Sequence, residues 1–563
     1  MRLMDSRRLT GAGLMLSAPG AVIDVSVAEE ERDLLVAAWQ RHATRLLQEM
    51  DWPAVTAVRP YEGGVSLAIE APVDGLYTAT DINEAAFDAA RDWLEGTQRH
   101  LLLRAARHLR SDYRDEERPR LQRLLVAAKA HGVIWLLDDE QLTLGTGRYS
   151  QTWDLYQLPH PDDVRWSRLK AVPTALVTGT NGKTTTVRLL ASIARAHGRV
   201  AGVSSTDWLA MGDDILSQDD YAGPAGARAV LRDKRCEMAI LETARGGLMR
   251  RGLAVARADV AVITNIAADH LGDYGIETVD DLAAVKWSVT RALDDRSRLV
   301  LNADDPLLMA LKEAAQAPVT LFALTPSNSH FAAHVAAGGH GFTVQRGRIV
   351  RHRGKQVTPV ISLKKIPVTH GGRARHNIAN SLAAAAAASA LRVPLDVIAQ
   401  GLSALRNEDN PGRANLYEIR GATVLLDFAH NPAGLTALMP VISNLTAKRR
   451  LLVTGQAGDR GDADIREFAL AIGDCAFDRI ILKQMDGHAR GRPSGEVAQL
   501  MREAYITQGY KPRSIAMVET EMDAARAAVR WAKPGDLIVF LAHENKARTR
   551  EYFESLASKD ESS

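Results

Sequence analysis

The sequence predicts an α/β protein: an α+β module at the N-terminus, a central doubly wound parallel sheet opening on a P-loop, and a second α/β domain of Rossmann-like pattern at the C-terminus. Three observations predict this. Short apolar runs alternate with helical segments from Pro173 onward, a glycine-rich loop follows the first of those runs, and the alternation restarts after a turn-rich stretch at 410–413. A chain of 563 residues exceeds what one hydrophobic core holds together, and three domains are expected, at 1–165, 166–409 and 410–563.

In the first module, β-rich runs at 21–27 and 65–69 precede helical patterns at 84–94 and 97–109. The proline-containing stretch 158–173 reads as a linker. The runs 175–177, 238–241, 260–264 and 299–301 are apolar apart from Thr264, as strands buried on both faces require. The segments between them are long enough for crossover helices. Several short β-like runs between 330 and 368 suggest a small antiparallel appendage. The alanine-rich stretch 377–391 reads as a strong helix, because alanine loses no side-chain entropy there. Beyond the Asn410-Pro411-Gly412-Arg413 turn, five runs at 423–426, 451–454, 480–482, 515–518 and 537–541 define the last domain. The polar tail after Glu554 is expected to fray.

Composition narrows the function. Lys+Arg 70 against Asp+Glu 68 leave a net charge of +2, which gives no support for a dedicated nucleic-acid binder. The two cysteines, Cys236 and Cys475, lack metal-ligand spacing and imply neither a disulfide framework nor a zinc site, which fits a reducing cytoplasm. No apolar stretch reaches the ~18 residues of a membrane span, and no signal peptide is indicated. The expected partners are small molecules, and a homo-oligomer is compatible with the sequence.

The sharpest motif is Gly179-Thr180-Asn181-Gly182-Lys183-Thr184-Thr185, between an apolar strand and a helical segment. Glycines let successive backbone N–H groups curl around a polyphosphate, and the helix N-terminus adds positive potential. Lys183 would meet the outer phosphates and Thr184 could offer its hydroxyl to Mg²⁺. The alternative is a strand-to-helix turn without a ligand. The general G-x-x-x-x-G-K-[ST] pattern would want glycine where Val177 stands.

Ordered motifs extend the reading: Leu241 to Gly247 (LETARGG), Thr264 to Gly272 (TNIAADHLG), Lys286, Leu301 to Asp305, His376 to Asn380, Asp427 to Pro432 (DFAHNP) and Arg490 to Arg492. With the TGTNGKTTT loop, this set resembles the Mur ligases, and most resembles the Mur-type half of cyanophycin synthetases. The resemblance implies ATP and Mg²⁺ as cofactors and an ADP-forming, amide-forming ligase. It implies that Glu242 holds Mg²⁺ at the nucleotide phosphates, and that His270, near Asn265 and Asp269, helps ligate a second Mg²⁺. It also implies that Lys286 serves that metal, as the matching lysine does in many Mur ligases through a carbamate, a modification that the sequence leaves open. Lys183, Glu242, His270 and Lys286 are thus the catalytic set, and Thr184, Glu242, His270 and Lys286 the metal set. Asn377 and Asn380 would lie toward the nucleotide base, and Arg413, Asp427 and His430 would close over the nucleotide. Read singly, Glu242 is equally a helix cap, His270 a structural histidine, Lys286 an exposed helix lysine and Asn380 a helix-start cap. The loop 455–460 could approach the substrates or be a plain βα turn.

The first module resembles the N-domain of cyanophycin synthetases, through Ser6 to Gly11, Pro19 to Val22 and Gly132 to Tyr149. The ATP-grasp part of those synthetases is absent between that stretch and the P-loop. In the full synthetases that part extends the aspartate backbone, while the Mur-type part adds arginine to the aspartate side chain. A ligase adding an amino acid to an acidic peptide or small-molecule carboxylate is therefore expected. The alternatives are a peptidoglycan or folyl-polyglutamate type ligase, and a nucleotide-binding partner of a full synthetase that does no catalysis itself.

Overall fold

The computed structural model describes residues 1–97 and 102–561. The N-terminal module is a four-stranded antiparallel sheet in the order Arg2–Leu9, Gly20–Ser26, Gly64–Glu70, Thr56–Tyr61. The two inner strands are the apolar runs. The two edge strands carry charged residues and escape an apolar-run search. Helices Glu29–Glu49 and Leu76–Leu94 pack on the sheet through Trp39, Leu46, Leu47 and Phe87, all buried. The Trp39 indole N–H donates to Asn83 Oδ1 at 2.9 Å, so even the buried polar atom is satisfied. The expected helix at 97–109 is seen from Leu102 to Glu116, and its residues 98–101 lie outside the described residues.

A small sheet of three strands follows (Trp135–Leu137, Gln141–Leu144, Gln151–Asp154). The stretch expected as a linker is instead a packed connector. It forms two 3-10 turns and buries Leu158, Val164 and Leu169 against the small sheet.

The central sheet has 11 strands. Its parallel middle runs in the order Ala201–Ser204, Met238–Glu242, Thr174–Thr178, Val260–Ile263, Arg298–Asn302, Val319–Ala323, His340–Gln345. Alternate residues enter opposite cores, as the pleat requires: Ala175 and Val177 on one face, Leu176 on the other. One face is covered by helices Lys183–Ala196, Arg375–Ala390 and Leu395–Ala404. The other is covered by Pro224–Arg232, Arg245–Arg251 and Val279–Trp287. This is the doubly wound arrangement. The expected appendage is not separate. His340–Gln345 pairs in parallel with Val319–Ala323, and Arg348–Arg353 and Gln356–Ser362 extend the same sheet antiparallel.

The C-terminal sheet has six strands, in the order Asn415–Ile419, Ala422–Asp427, Leu537–Leu541, Arg450–Thr454, Arg479–Lys483, Ile515–Val518. The five expected strands are parallel to one another, and the sixth pairs antiparallel at the edge. The tail does not fray at Glu554. Helix Lys546–Glu561 continues through it because Phe553 is buried and Leu556 and Ala557 pack on the sheet. Among the described residues no helix is long and apolar enough to cross a membrane.

Candidate functional site

Strand Thr174–Thr178 sits between Met238–Glu242 and Val260–Ile263 and ends at the carboxyl edge of the sheet, where α/β folds place ligands. The following loop needs its glycines for space. A Cβ on Gly179 (φ +140°) would meet Thr264 Oγ1 at 1.9 Å, and one on Gly182 (φ +82°) would meet Asn380 Oδ1 at 2.1 Å. Asn265 braces the loop: its carbonyl accepts from Thr180 N (2.8 Å), its Oδ1 accepts from Asn181 N (2.9 Å), and its Nδ2 donates to Asn181 O (2.9 Å). Asn265 therefore serves the loop rather than His270. Lys183 opens helix Lys183–Ala196 and folds back, donating from Nζ to Thr180 O at 3.0 Å. Thr184 and Thr185 are buried behind it. Their hydroxyls accept from Arg413 (3.4 Å) and from Asn410 (3.5 Å), both in the turn before the C-terminal sheet.

Glu242 ends its strand fully buried, so it is neither a helix cap nor solvated. Oε1 accepts from the Thr206 hydroxyl at 2.7 Å and Oε2 from Thr206 N at 3.4 Å, and no ion pair reaches it among the described residues. A buried carboxylate held this way leaves room for a cation. Lys286 is also buried, on helix Val279–Trp287, and donates to Gly179 O at 2.9 Å. It is not an exposed helix lysine. Burial and the nearby Lys183 push its amine down to about 7.

A second cluster lies beside the P-loop. One ligand atom each from Asp269, His270 and His430 falls within a 4.8 Å group. Asp269 accepts from Arg460 Nη2 at 3.0 Å and lies 3.9 Å from His270 and 3.8 Å from His430. Burial pushes the Asp269 carboxyl up, but His430, His270 and Arg460 outweigh it and hold it well below the usual carboxylate range. His270 has φ +50° and also faces Asp459 at 3.8 Å. His430 was expected over the nucleotide, yet it belongs to this cluster.

Asn377 and Asn380 do not cap their helix. Asn377 Nδ2 donates to Val368 O at 2.8 Å, Asn380 Nδ2 donates to Asn377 Oδ1 at 3.1 Å, and the helix begins two residues before Asn377. Asn380 thereby stands against Gly182. Asp427 shapes the turn after its strand, accepting from Ala414 N and Ala429 N at 2.7 Å each. Asn431 and Asn181 exchange amide hydrogen bonds at 3.0 and 3.2 Å, which fastens the C-terminal sheet to the P-loop. In the 455–460 loop, Gln456 donates to His430 O at 3.0 Å and Arg460 reaches Asp269, so it is more than a plain turn.

These groups share one cleft of about 810 Å³ between the central and C-terminal sheets. Sequence reading missed Thr206 and Lys546, while Asp459 falls in the 455–460 loop it singled out. Lys546 lies 3.4 Å from the Phe428 ring centre, across which Arg413 also lies at 4.7 Å. Burial and Arg413 bring Lys546 down to about 8. It follows the last parallel strand at its carboxyl end, and that position alone could have flagged it.

Residues 177–388 match the Mur ligase middle domain and residues 412–543 the Mur ligase glutamate ligase domain. The cyanophycin synthetase of Synechocystis sp. is 37% identical over 378 residues, which cover 67% of this chain and 43% of that protein. The chain thus spans less than half the length of that relative. A UDP-N-acetylmuramoyl-L-alanyl-D-glutamate–2,6-diaminopimelate ligase of Geobacter metallireducens is 28% identical over 514 residues, covering 86% of this chain and 91% of the relative. Among solved structures, E. coli FolC in complex with DHPP and ADP aligns with 69% of this chain and 89% of its own, at 18% identity and a TM-score of 0.49.

Proposed function

The chain belongs to the Mur ligase superfamily, and from that premise we propose that it is an ATP-dependent ligase that joins a carboxylate to an amine through an acyl-phosphate. In this reading it adds an amino acid to an acidic peptide or small-molecule carboxylate, in the manner of the Mur-like part of cyanophycin synthetases. The observation that carries the reading is the shared cleft: a phosphate-type loop, a buried unpaired Glu242 and the Asp269 cluster open into the same volume. The division into domains at about 165 and 410 belongs to the same proposal.

A carboxylate is a poor electrophile, and its phosphorylation creates a leaving group. Transfer of a phosphoryl group needs positioning and charge neutralisation more than covalent help. The backbone N–H groups of Gly182 to Thr184 and the Lys183 ammonium would supply both. Asn377 and Asn380 would stand at the base side of the nucleotide, with Arg413 and Asp427 on the face brought by the C-terminal sheet. Thr184, Glu242, His270 and Lys286 fit the metal role, because Glu242 is a hard oxygen donor without a counter-cation and Asp269 adds a carboxylate beside His270. Mg²⁺ bound there would offset the charge of the transferred phosphate. A neutral Lys286 amine can take up CO₂ as a carbamate, exchanging a cation for an anionic oxygen donor. The Asn181–Asn431 pair and the Arg460–Asp269 contact would keep water from the activated acyl group while the amine attacks.

The test is phosphate release from ATP across a panel of amino acids, acidic peptides and UDP-linked peptides, with hydroxylamine added to trap an acyl-phosphate as a hydroxamate. Release that requires one carboxylate–amine pair, with product mass equal to their sum less water, supports the reading. ATP binding without turnover on any pair favours a nucleotide-binding partner of a full synthetase.

A further inference from the structure

At the edge of the central sheet opposite the P-loop, a recess of about 200 Å³ lies between the sheet and the last turn of helix Arg375–Ala390. Adjacent strands build it. Thr320, His340 and Arg353 are register partners in one row, and Phe342 faces Arg351 in the next. Arg298 begins its strand at the same end, and Arg392 follows the helix. No aspartate or glutamate lines the recess.

Arginines in folded proteins normally meet a carboxylate, a carbonyl or an aromatic face. Here the side chains of Arg298, Arg351, Arg353 and Arg392 find none of these among the described residues, and Arg351 Nε is buried without a hydrogen-bond partner. Arg296, at the rim, is the exception, with Asp294 at 3.3 Å. Arg392 is accounted for by the negative end of the helix it follows. Nothing in the fold accounts for the half-buried Arg298 and Arg351, and Arg353 adds a third guanidinium at the exposed rim. Burial and the neighbouring arginines push the His340 ring down as well. Like charges converging in a partly desolvated recess cost stability unless a ligand pairs with them.

We propose that this recess binds a small, multiply charged oxyanion of the phosphate class, held by the guanidinium groups of Arg298, Arg351 and Arg353. Planar guanidinium forks match tetrahedral oxyanions with paired hydrogen bonds, which lysines would not. The volume admits phosphate or pyrophosphate and is too narrow for a nucleic-acid strand. The site is separate from the cleft and does not rest on the ligase reading. Helix Arg375–Ala390 connects the two, since its first turns carry Asn377 and Asn380 and its last turn lines the recess.

Calorimetric titration of the full chain with inorganic pyrophosphate tests the proposal, in a Lys183→Ala background so that the P-loop does not compete. One pyrophosphate per chain is expected, with affinity falling at least tenfold when Arg298→Gln and Arg351→Gln are added, and falling again with salt. Arg353→Gln, at the exposed rim, is the second variant should the pair fail to fold. The thermal midpoint without anion should hold or rise in Arg351→Gln, because repulsion is relieved. ADP added to the same protein distinguishes a free ion from the phosphates of a larger molecule, and its binding supports the site only where Arg298→Gln and Arg351→Gln weaken it. No pyrophosphate or ADP binding in the Lys183→Ala protein, equal affinity in the arginine variants, or a lowered midpoint in Arg351→Gln would overturn the proposal. Binding of a tetra-aspartate peptide or single-stranded DNA in place of pyrophosphate would also overturn it.

Discussion

Replacing Glu521 by glutamine should destabilise the C-terminal domain by several kcal/mol without changing its shape. Glu521 and Lys483 form an ion pair whose side chains are both 0% exposed. Oε2 accepts from Lys483 and from the amides of His543 (2.7 Å) and Glu544 (3.0 Å), while Oε1 accepts from Asn545 N (3.0 Å) and the Thr549 hydroxyl (3.1 Å). An amide has one acceptor oxygen, so in either orientation its NH₂ would face at least two donors. Lys483 would also be left charged and unpaired in the core. Breaking a buried pair this way costs about 3–5 kcal/mol. Burial pushes the Glu521 carboxyl up, but Lys483 and the amides outweigh it and bring it down to about 2. Because the folded value is depressed, this stability is present above about pH 4.3 and is lost as pH falls toward 2. Urea unfolding of the full chain at pH 7 and pH 3 measures it, with hydrogen exchange at 543–549 as the local readout. Glu521→Gln/Lys483→Met should recover part of the loss, since it removes the unpaired Lys483 charge while the glutamine oxygen still accepts from some of the amides. A cost below ~1 kcal/mol for Glu521→Gln, or a double variant no better than the single one, would refute the reasoning.

Three further outcomes are expected. Lys183→Ala should lower carboxylate-dependent phosphate release by about 10²–10³-fold, and normal turnover would sink the ligase scheme. Chain exposed to ¹³C-bicarbonate should show a carbamate carbon signal that Lys286→Arg abolishes, together with activity that declines in CO₂-depleted buffer; a signal that survives the substitution removes Lys286 from that role. Arg59 of the N-terminal sheet donates to the carbonyls of Tyr274 and Gly275, at 2.5 and 2.7 Å, in the loop that follows Asp269 and His270. Arg59→Met should therefore raise the Mg²⁺ concentration needed for half-maximal rate by about tenfold, a shift of ~1.4 kcal/mol, while the KM for ATP stays within twofold. Lower thermal stability with an unchanged Mg²⁺ requirement would make Arg59 merely structural.

Much of this was legible in the sequence because the signals were local. Ala175, Leu176 and Val177 are apolar on both faces, so a buried parallel strand was the only economical reading, and Gly179 and Gly182 announced a loop that approaches other atoms closely. The edge strands Arg2–Leu9 and Thr56–Tyr61 were not legible, because their side chains answer to distant partners. Arg7 makes sense only beside Asp24 (2.5 Å) and the Met249 carbonyl (3.0 Å), and Arg59 only beside the 274–275 carbonyls. Likewise the strands between 340 and 362 looked detached, since no local pattern says that His340–Gln345 pairs with Val319–Ala323. At the site, Lys183 and Glu242 were found through motif position. The place of His430 in the Asp269 cluster depends on how two sheets meet, which a single sequence does not encode locally.

The loop carrying Asp269 and His270 is where the three parts of the chain converge, and this explains why it tolerates strain. His270 and Tyr274 both adopt positive φ, at 50° and 56°, a conformation that costs of order ~1–3 kcal/mol per residue. Such strain persists only where the surroundings over-determine the backbone. Here Thr180 Oγ1 accepts from Ala267 N at 3.0 Å on the P-loop side, Arg59 holds 274–275 from the N-terminal sheet, and Arg460 and His430 hold Asp269 from the C-terminal sheet. Two of these three supports lie outside the central sheet. A swing of the C-terminal sheet away from the P-loop would part His430, Asp459 and Arg460 from Asp269 and His270, and would break the Asn181–Asn431 pair in the same movement. In the proposed ligase, completing the cation cluster and closing the cleft over the phosphates are therefore one event. His430 joins Asp269 and His270 only when the cleft is closed to water, which is when an acyl-phosphate needs protection.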